Sequence, residues 1–225
     1  MRYRLFAPQP RPREPMPLIV ALHGCTQSIT DFAAGTNFES VARRAGVAVL
    51  FPEQAPLANS RGCWNWFSAK NQKRASGEPA TILRLIESIR KRNSIDARRI
   101  FVVGFSAGAA MAAILAEQAP DVFAAVGLMA GVPLHVAHNL RTAHALMSGA
   151  PPIDLPGLAL PLQAYRAMRV TIWQGAIDTV VAPVNATWLA HQFAGAVGVA
   201  DQAVRTEYRA GAEIRRRHDV DGVLR

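Results

Sequence analysis

Between residues 99 and 112 the chain reads as a strand, a tight turn and a helix in immediate succession. The β-branched run Ile100-Phe101-Val102-Val103 enters Gly104-Phe105-Ser106-Ala107-Gly108, and an alanine-rich segment follows at once. A turn this tight requires glycine at 104 and 108, because a Cβ at either place would strike the neighbouring strand or helix. Ser106 is then held at the apex with its hydroxyl exposed and the amino end of a helix aimed at it. Gly-x-Ser-x-Gly also occurs by chance in glycine-rich turns. Set between a strand and a helix it has the context of a nucleophile elbow, and Ser106 becomes a candidate nucleophile.

The rest of the chain repeats the alternation. Residues 1–6 read as an opening strand, 18–22 as a strand buried on both faces, and 47–51 as another, stopped by Pro52. Helical periodicity runs over 32–45 up to Gly46, and over 80–92 with Ile82, Leu85, Ile86 and Ile89 on one face. Strands are expected at 100–103, 124–129 and 170–173, with a helix over 183–196. This order predicts an α/β fold: a mainly parallel sheet with helices on both faces. Residues 131–169 are rich in Pro, Gly and His without a long periodic segment, and read as a cap or loop insertion. The tail alternates over 203–208 and 213–220 as a hairpin would; Asp221-Gly222 then suggests a turn, and residues 223–225 the start of a further strand. A strand seldom ends a domain after three residues, so the expectation is one domain over 1–225 that lacks its C-terminal strand.

Composition narrows the function. Half of the 225 residues are apolar and 18% are charged, a globular balance. The net charge of +9 comes mostly from arginine. Its densest clusters, Arg90-Lys91-Arg92 and Arg215-Arg216-Arg217, lack interleaved aromatics, so a solvated basic surface is expected and no nucleic-acid partner. No apolar run reaches the roughly 18 residues that span a bilayer, which argues against membrane insertion. The opening six residues are too short for a signal peptide.

Acyl transfer by serine needs a base, a group that orients the base, and donors for the oxyanion. Asp178 directly follows a buried strand, which sets it at the carboxyl edge of the sheet with Ser106. The alternative for Asp178 is a turn-former ahead of the next helix. Asp154, Asp201, Asp219 and Asp221 lie in loops or in the hairpin and are poorer candidates. The loop His23-Gly24-Cys25-Thr26-Gln27 follows the first buried strand, where this order of elements supplies the second oxyanion donor. The donors are therefore assigned to the N–H groups of Cys25 and Ala107, with His23 bracing the loop. Beyond Asp178 only His191 and His218 remain as bases. His191 falls inside a helix, and His218 follows three arginines in the hairpin, so the base is expected outside this chain. No metal site is expected.

The pairing of His23-Gly24-Cys25-Thr26-Gln27 with Cys63-Trp64-Asn65-Trp66-Phe67, together with Pro52-Glu53-Gln54, Gly77-Glu78-Pro79, Ser106 and Asp178, resembles the polyhydroxybutyrate-depolymerase-type esterases. That family includes feruloyl and acetyl-xylan esterases, and the likeness runs from Arg2 to about Tyr208. It implies an α/β-hydrolase fold, cleavage of carboxylic esters without a cofactor, polyester or plant cell-wall acyl esters as substrate, and frequent secretion. Phe105 and Ala109 stand where the family usually has leucine and glycine, and the family's Gly-x-Gly-His-Ala-Trp segment is not in this sequence. The resemblance puts Cys25 and Cys63 beside the active-site mouth as a disulfide candidate; two buried thiols in a cytoplasmic protein are the alternative. Trp64 and Trp66 are candidates for an apolar substrate platform, or for core packing on one side of a strand. The resulting expectation is a serine carboxylic ester hydrolase working through an acyl-enzyme. The alternatives are a catalytically silent binding protein and a peptidase or thioesterase on the same fold.

Overall fold

A strand buried on both faces must find all its hydrogen-bond partners in neighbouring strands. The computed structural model describes residues 1–158 and 168–196, and the backbone of 204–209, 213–220 and 223–224. Strands β1 (Arg2–Phe6), β2 (Met16–Leu22), β3 (Ala48–Glu53), β4 (Ile95–Phe105), β5 (Ala125–Met129) and β6 (Arg169–Trp173) form one sheet. Its order is β1-β3-β2-β4-β5-β6. All neighbours are parallel except β1, which pairs antiparallel with β3 from Arg2 opposite Glu53 to Phe6 opposite Val49.

The helices are α1 (Ile29–Thr36), α2 (Phe38–Ala45), α3 (Gly77–Arg92), α4 (Ala107–Gln118), α5 (Leu140–Met147) and α6 (Val184–Ala196). Strand alternation divides the core in two. Leu18, Val20, Leu22, Ala48 and Leu50 face the larger cluster with Ile82, Ile86 and Ile89 of α3, all of α4 through Ala116, and Leu189 and Phe193 of α6. Ala21, Val49 and Phe51 face the other side, against Phe32 and Ala33 of α1 and Ala42 of α2. The sheet is thus covered on both faces. Arg90 and Lys91 stay solvated and pair with Glu87 along α3.

Several boundaries differ from expectation. The periodic stretch 32–45 is two helices, because Asn37 takes the left-handed conformation (φ 51, ψ 25), ending α1 and opening α2. A capping box between Ser28 and Asp31 moves the start of α1 back to Ile29. Pro52 does not stop β3 but lies within it, opposite Tyr3. Pairing with β2 covers only Ala48–Leu50, so the missing N–H at Pro52 costs that ladder nothing. Residues 131–169 hold the helix α5, capped by Asn139 and Thr142, and Val132, Leu134, Ala137, Ala143, Leu146 and Leu158 are buried in the main core. In the tail, β7 (Val204–Arg209) pairs antiparallel with β8 (Glu213–Val220), and β8 with β9 (Val223–Leu224), as a separate sheet. The expected turn at Asp221-Gly222 lies outside the described residues. Among the described residues no helix is long and apolar enough to cross a membrane.

Candidate active site

The site grows from the junction of β4 and α4. Ser106 has φ 54 and ψ −120, a conformation that a non-glycine residue holds only when its surroundings over-determine it. They do so from three sides. The Ser106 N–H donates to the carbonyl of Met129 at the end of β5 (2.9 Å), and its own carbonyl accepts from Ala109 and Ala110 in the first turn of α4. A Cβ on Gly104 would lie 2.1 Å from the Gly108 carbonyl oxygen, and a Cβ on Gly108 would lie 2.2 Å from that of Leu22 and 2.5 Å from that of His23. The amino end of α4 is therefore pressed onto the end of β2, where the 23–28 loop begins.

The loop is held at nearly every residue. Gly24 N–H donates to Gln27 Oε1 (2.8 Å), Thr26 N–H to the Arg61 carbonyl (2.7 Å), and Trp64 Nε1–H to the His23 carbonyl (3.0 Å). Cys25 and Cys63 are joined as a disulfide. Among the described residues, neither the Cys25 nor the Ala107 N–H has a hydrogen-bond acceptor. His23 is 1% exposed; its Nε2 accepts from the Gln54 N–H (3.2 Å), so Nδ1 carries the proton and donates to the Gly24 carbonyl (2.7 Å). A ring so engaged on both nitrogens is a brace, as the sequence suggested.

Trp64 corrects an expectation. It has no exposed surface and Trp66 only 6%, so neither offers a face to a substrate; both pack in the main core, and Trp64 also supports the 23–28 loop. Two aromatics spaced by two residues share a face, but nothing local says whether that face is covered.

Asp178 stands in the loop after β6, on the same carboxyl edge of the sheet as Ser106. Its Oδ1 accepts from the N–H groups of Val180 (2.8 Å) and Val181 (2.9 Å), and Oδ2 from Gln174 Nε2 (3.1 Å). These bonds fix the carboxylate and shape the turn into α6 together. Asp154 is exposed, while Asp201, Asp221 and the side chain of Asp219 lie outside the described residues. Among the described residues, no histidine ring is hydrogen-bonded to Ser106 or Asp178. His191 sits on the exposed side of α6, and the ring of His218 lies outside the described side chains.

Sequence reasoning missed one buried pair altogether. Glu117 of α4, 3% exposed, meets His135 Nε2 at 2.8 and 2.7 Å, and Gln72 Oε1 lies 3.3 Å from His135 Nδ1. The Glu117 carboxylate holds the His135 imidazole above its ordinary value of 6.5, against a smaller opposing effect of burial. Only the alanine-rich surroundings of Glu117 hinted that its charge needed a partner. Among the described residues, no group of three His, Cys, Asp or Glu side chains could hold a metal ion.

A parallel sheet with a serine elbow at its carboxyl edge defines an α/β-hydrolase fold, and known structures bear the same architecture. The acetyl xylan esterase from Aspergillus awamori superposes with a TM-score of 0.72 over 91% of this chain and 78% of its own, at 22% identity. The chain belongs to the PHB depolymerase esterase family, whose model matches residues 1–219. Poly(3-hydroxyalkanoate) depolymerase C of Paucimonas lemoignei is 34% identical over 191 residues, 81% of this chain. Feruloyl esterase B of Thermothelomyces thermophilus is 27% identical over 197 residues, also 81%. This chain spans 45% of the depolymerase's length and 66% of the feruloyl esterase's.

Proposed function

We propose that the protein is a serine carboxylic ester hydrolase acting on uncharged polyesters or acyl esters through an acyl-enzyme. The observation that carries this reading is the clamp at Gly108. It holds the amino end of α4 against the end of β2, and among the described residues the N–H groups of Ala107 and Cys25 near these two ends have no acceptor. Such a pair is preorganised for negative charge that develops only in the tetrahedral intermediate. Ser106 Oγ attacks the ester carbonyl as its proton passes to an imidazole oriented by Asp178. The intermediate collapses, and the alcohol leaves with that proton. Water then adds to the acyl-enzyme by the same route, releasing the acid and restoring Ser106.

The substrate class is supported by the names of the relatives and by the rim of the site. Met129 (46% exposed) ends β5, and Ile177 (88%) and Val180 (70%) flank Asp178, so exposed apolar side chains lie along the carboxyl edge of the sheet. The disulfide suits an oxidising compartment, which favours an extracellular protein. Ser106→Ala should lower p-nitrophenyl butyrate turnover by about 10³-fold or more. A serine-reactive phosphonate should label Ser106 alone. Undiminished hydrolysis by the alanine variant would overturn the assignment, and a wild-type protein that binds ester without turnover would establish the silent alternative.

A further inference from the structure

Two motifs of the chain, Pro52-Glu53-Gln54 and Gly77-Glu78-Pro79, have no part in the chemistry above, yet they meet in one hydrogen-bonded hub. Glu78 Oε1 accepts from Gln54 Nε2 (2.6 Å) and from Asn65 Nδ2 (2.7 Å), and Oε2 accepts from the Asn65 backbone N–H (2.9 Å). Among the described residues no Arg or Lys pairs with Glu78. Its charge is met by amide N–H groups and by the amino end of α3, where it is the second residue. The flanking residues aim it there. Gly77 has φ +59, and a Cβ on it would lie 2.0 Å from Asn71 Oδ1 and 2.9 Å from the Lys70 carbonyl. Asn71 Oδ1 also accepts from the Glu78 N–H (2.9 Å), and Pro79 sits in the first turn of the helix, where no N–H is needed.

The hub leads to the oxyanion loop by two routes. Gln54 Nε2 also donates to the Cys63 carbonyl (3.0 Å), while the Gln54 N–H donates to His23 Nε2 (3.2 Å). Asn65 holds Asn59 through Asn59 Nδ2 (2.8 Å), and Asn59 Oδ1 accepts from the N–H groups of Arg61 (3.0 Å) and Cys63 (3.3 Å). Arg61 and Cys63 are the residues to which Thr26 and Cys25 are tied. A disulfide restrains Cys25 only as firmly as Cys63 is anchored; Gln54 and Asn59 hold Cys63, and Glu78 holds Gln54 directly and Asn59 through Asn65. We infer that Glu78 is a positioning residue, which through Gln54 and Asn65 fixes the backbone of residues 23–26 and so aims the Cys25 N–H at the developing oxyanion. This inference rests on the esterase reading for its catalytic consequence, but its structural content stands apart from it.

The test compares wild type with Glu78→Gln, which keeps the shape but turns one acceptor into a donor facing Gln54 or Asn65. Amide hydrogen exchange of a peptide covering residues 22–28 should quicken by about tenfold or more, while a peptide from β4 keeps its protection. On p-nitrophenyl butyrate, kcat should fall by about tenfold or more with KM changed by less than about twofold, since the donor acts in the transition state. Gln54→Met, which cuts the link to Cys63 but leaves Glu78 and Asn65 paired, should show the same pattern to a smaller degree. Ser106→Ala should leave the exchange as in wild type. If wild type hydrolyses no ester, the esterase reading fails and the exchange comparison alone decides the positioning role. Unchanged exchange in folded Glu78→Gln, a rise in KM in place of a fall in kcat, or loss of the folded state in both hub variants would overturn it.

Discussion

Ser106 and its two glycines were readable from five letters because the constraint is local: backbone atoms of Gly108, Leu22 and His23 occupy the space a Cβ would need. Trp64 was not readable in the same way, since its setting depends on atoms 41 residues away at His23. His135 belongs with Trp64. It sits at φ 62 in a segment without periodicity, and its partner Glu117 lies on a helix otherwise apolar apart from Gln118. The pair has a pH signature whose sign follows from the raised folded-state value. Below the ordinary value of 6.5 the imidazolium is present in folded and unfolded protein alike, and the stabilisation is complete. As pH rises through the folded value the charge is lost, and the stabilisation goes with it. Chemical unfolding should therefore show stability declining as pH rises above the ordinary value of 6.5. His135→Gln keeps a donor for Glu117 without a titrating charge, and should flatten that part of the profile. Equal slopes in the two proteins would exclude the pair as its source.

At the scale of elements, the buried strands and the long helix α3 matched their hydrophobic patterns, because burial on one or two faces is what those patterns record. The break at Asn37 was hidden, since the apolar spacing carries on across it while a single left-handed residue turns the chain. The helix α5 was hidden by neighbouring Pro and Gly, though Asn139 and Thr142 formed a legible cap. No pattern in either partner pointed to the cross-links between β3, α3 and the 59–65 segment, as these are long-range and polar. The Cys25–Cys63 bridge is the covalent member of that set and closes a sequence separation of 38 residues. In the chain-entropy model a loop of that length contributes about 3–4 kcal/mol. Reduction should lower Tm by roughly 6–16 °C for a domain of this size. Two titratable thiols in protein purified under oxidising conditions would show the bridge to be absent.

Over the whole molecule, the parallel sheet and its two-sided cover followed from the alternation of elements, and the family from the loop motifs. No base followed from the sequence, because neither His191 within a helical pattern nor His218 after three arginines carries a motif that pairs it with Ser106. One feature of the architecture bears on how the protein reaches its working state. From Ala107 to Glu117 every residue of α4 is buried, so this helix has no solvent face and little reason to exist away from the sheet. Its folding must be concerted with the closing of the core, and only then is Ser106 forced into its unfavourable backbone geometry. During refolding, phosphonate capture of Ser106 should lag behind the return of far-ultraviolet circular dichroism, and substitutions in α4 should alter the unfolding rate more than the folding rate. Labelling that kept pace with the first helical signal would contradict this order. On the proposed esterase reading Ser106 is then a clock: it becomes reactive at the last stroke of assembly, and a chain that has merely collapsed does no chemistry.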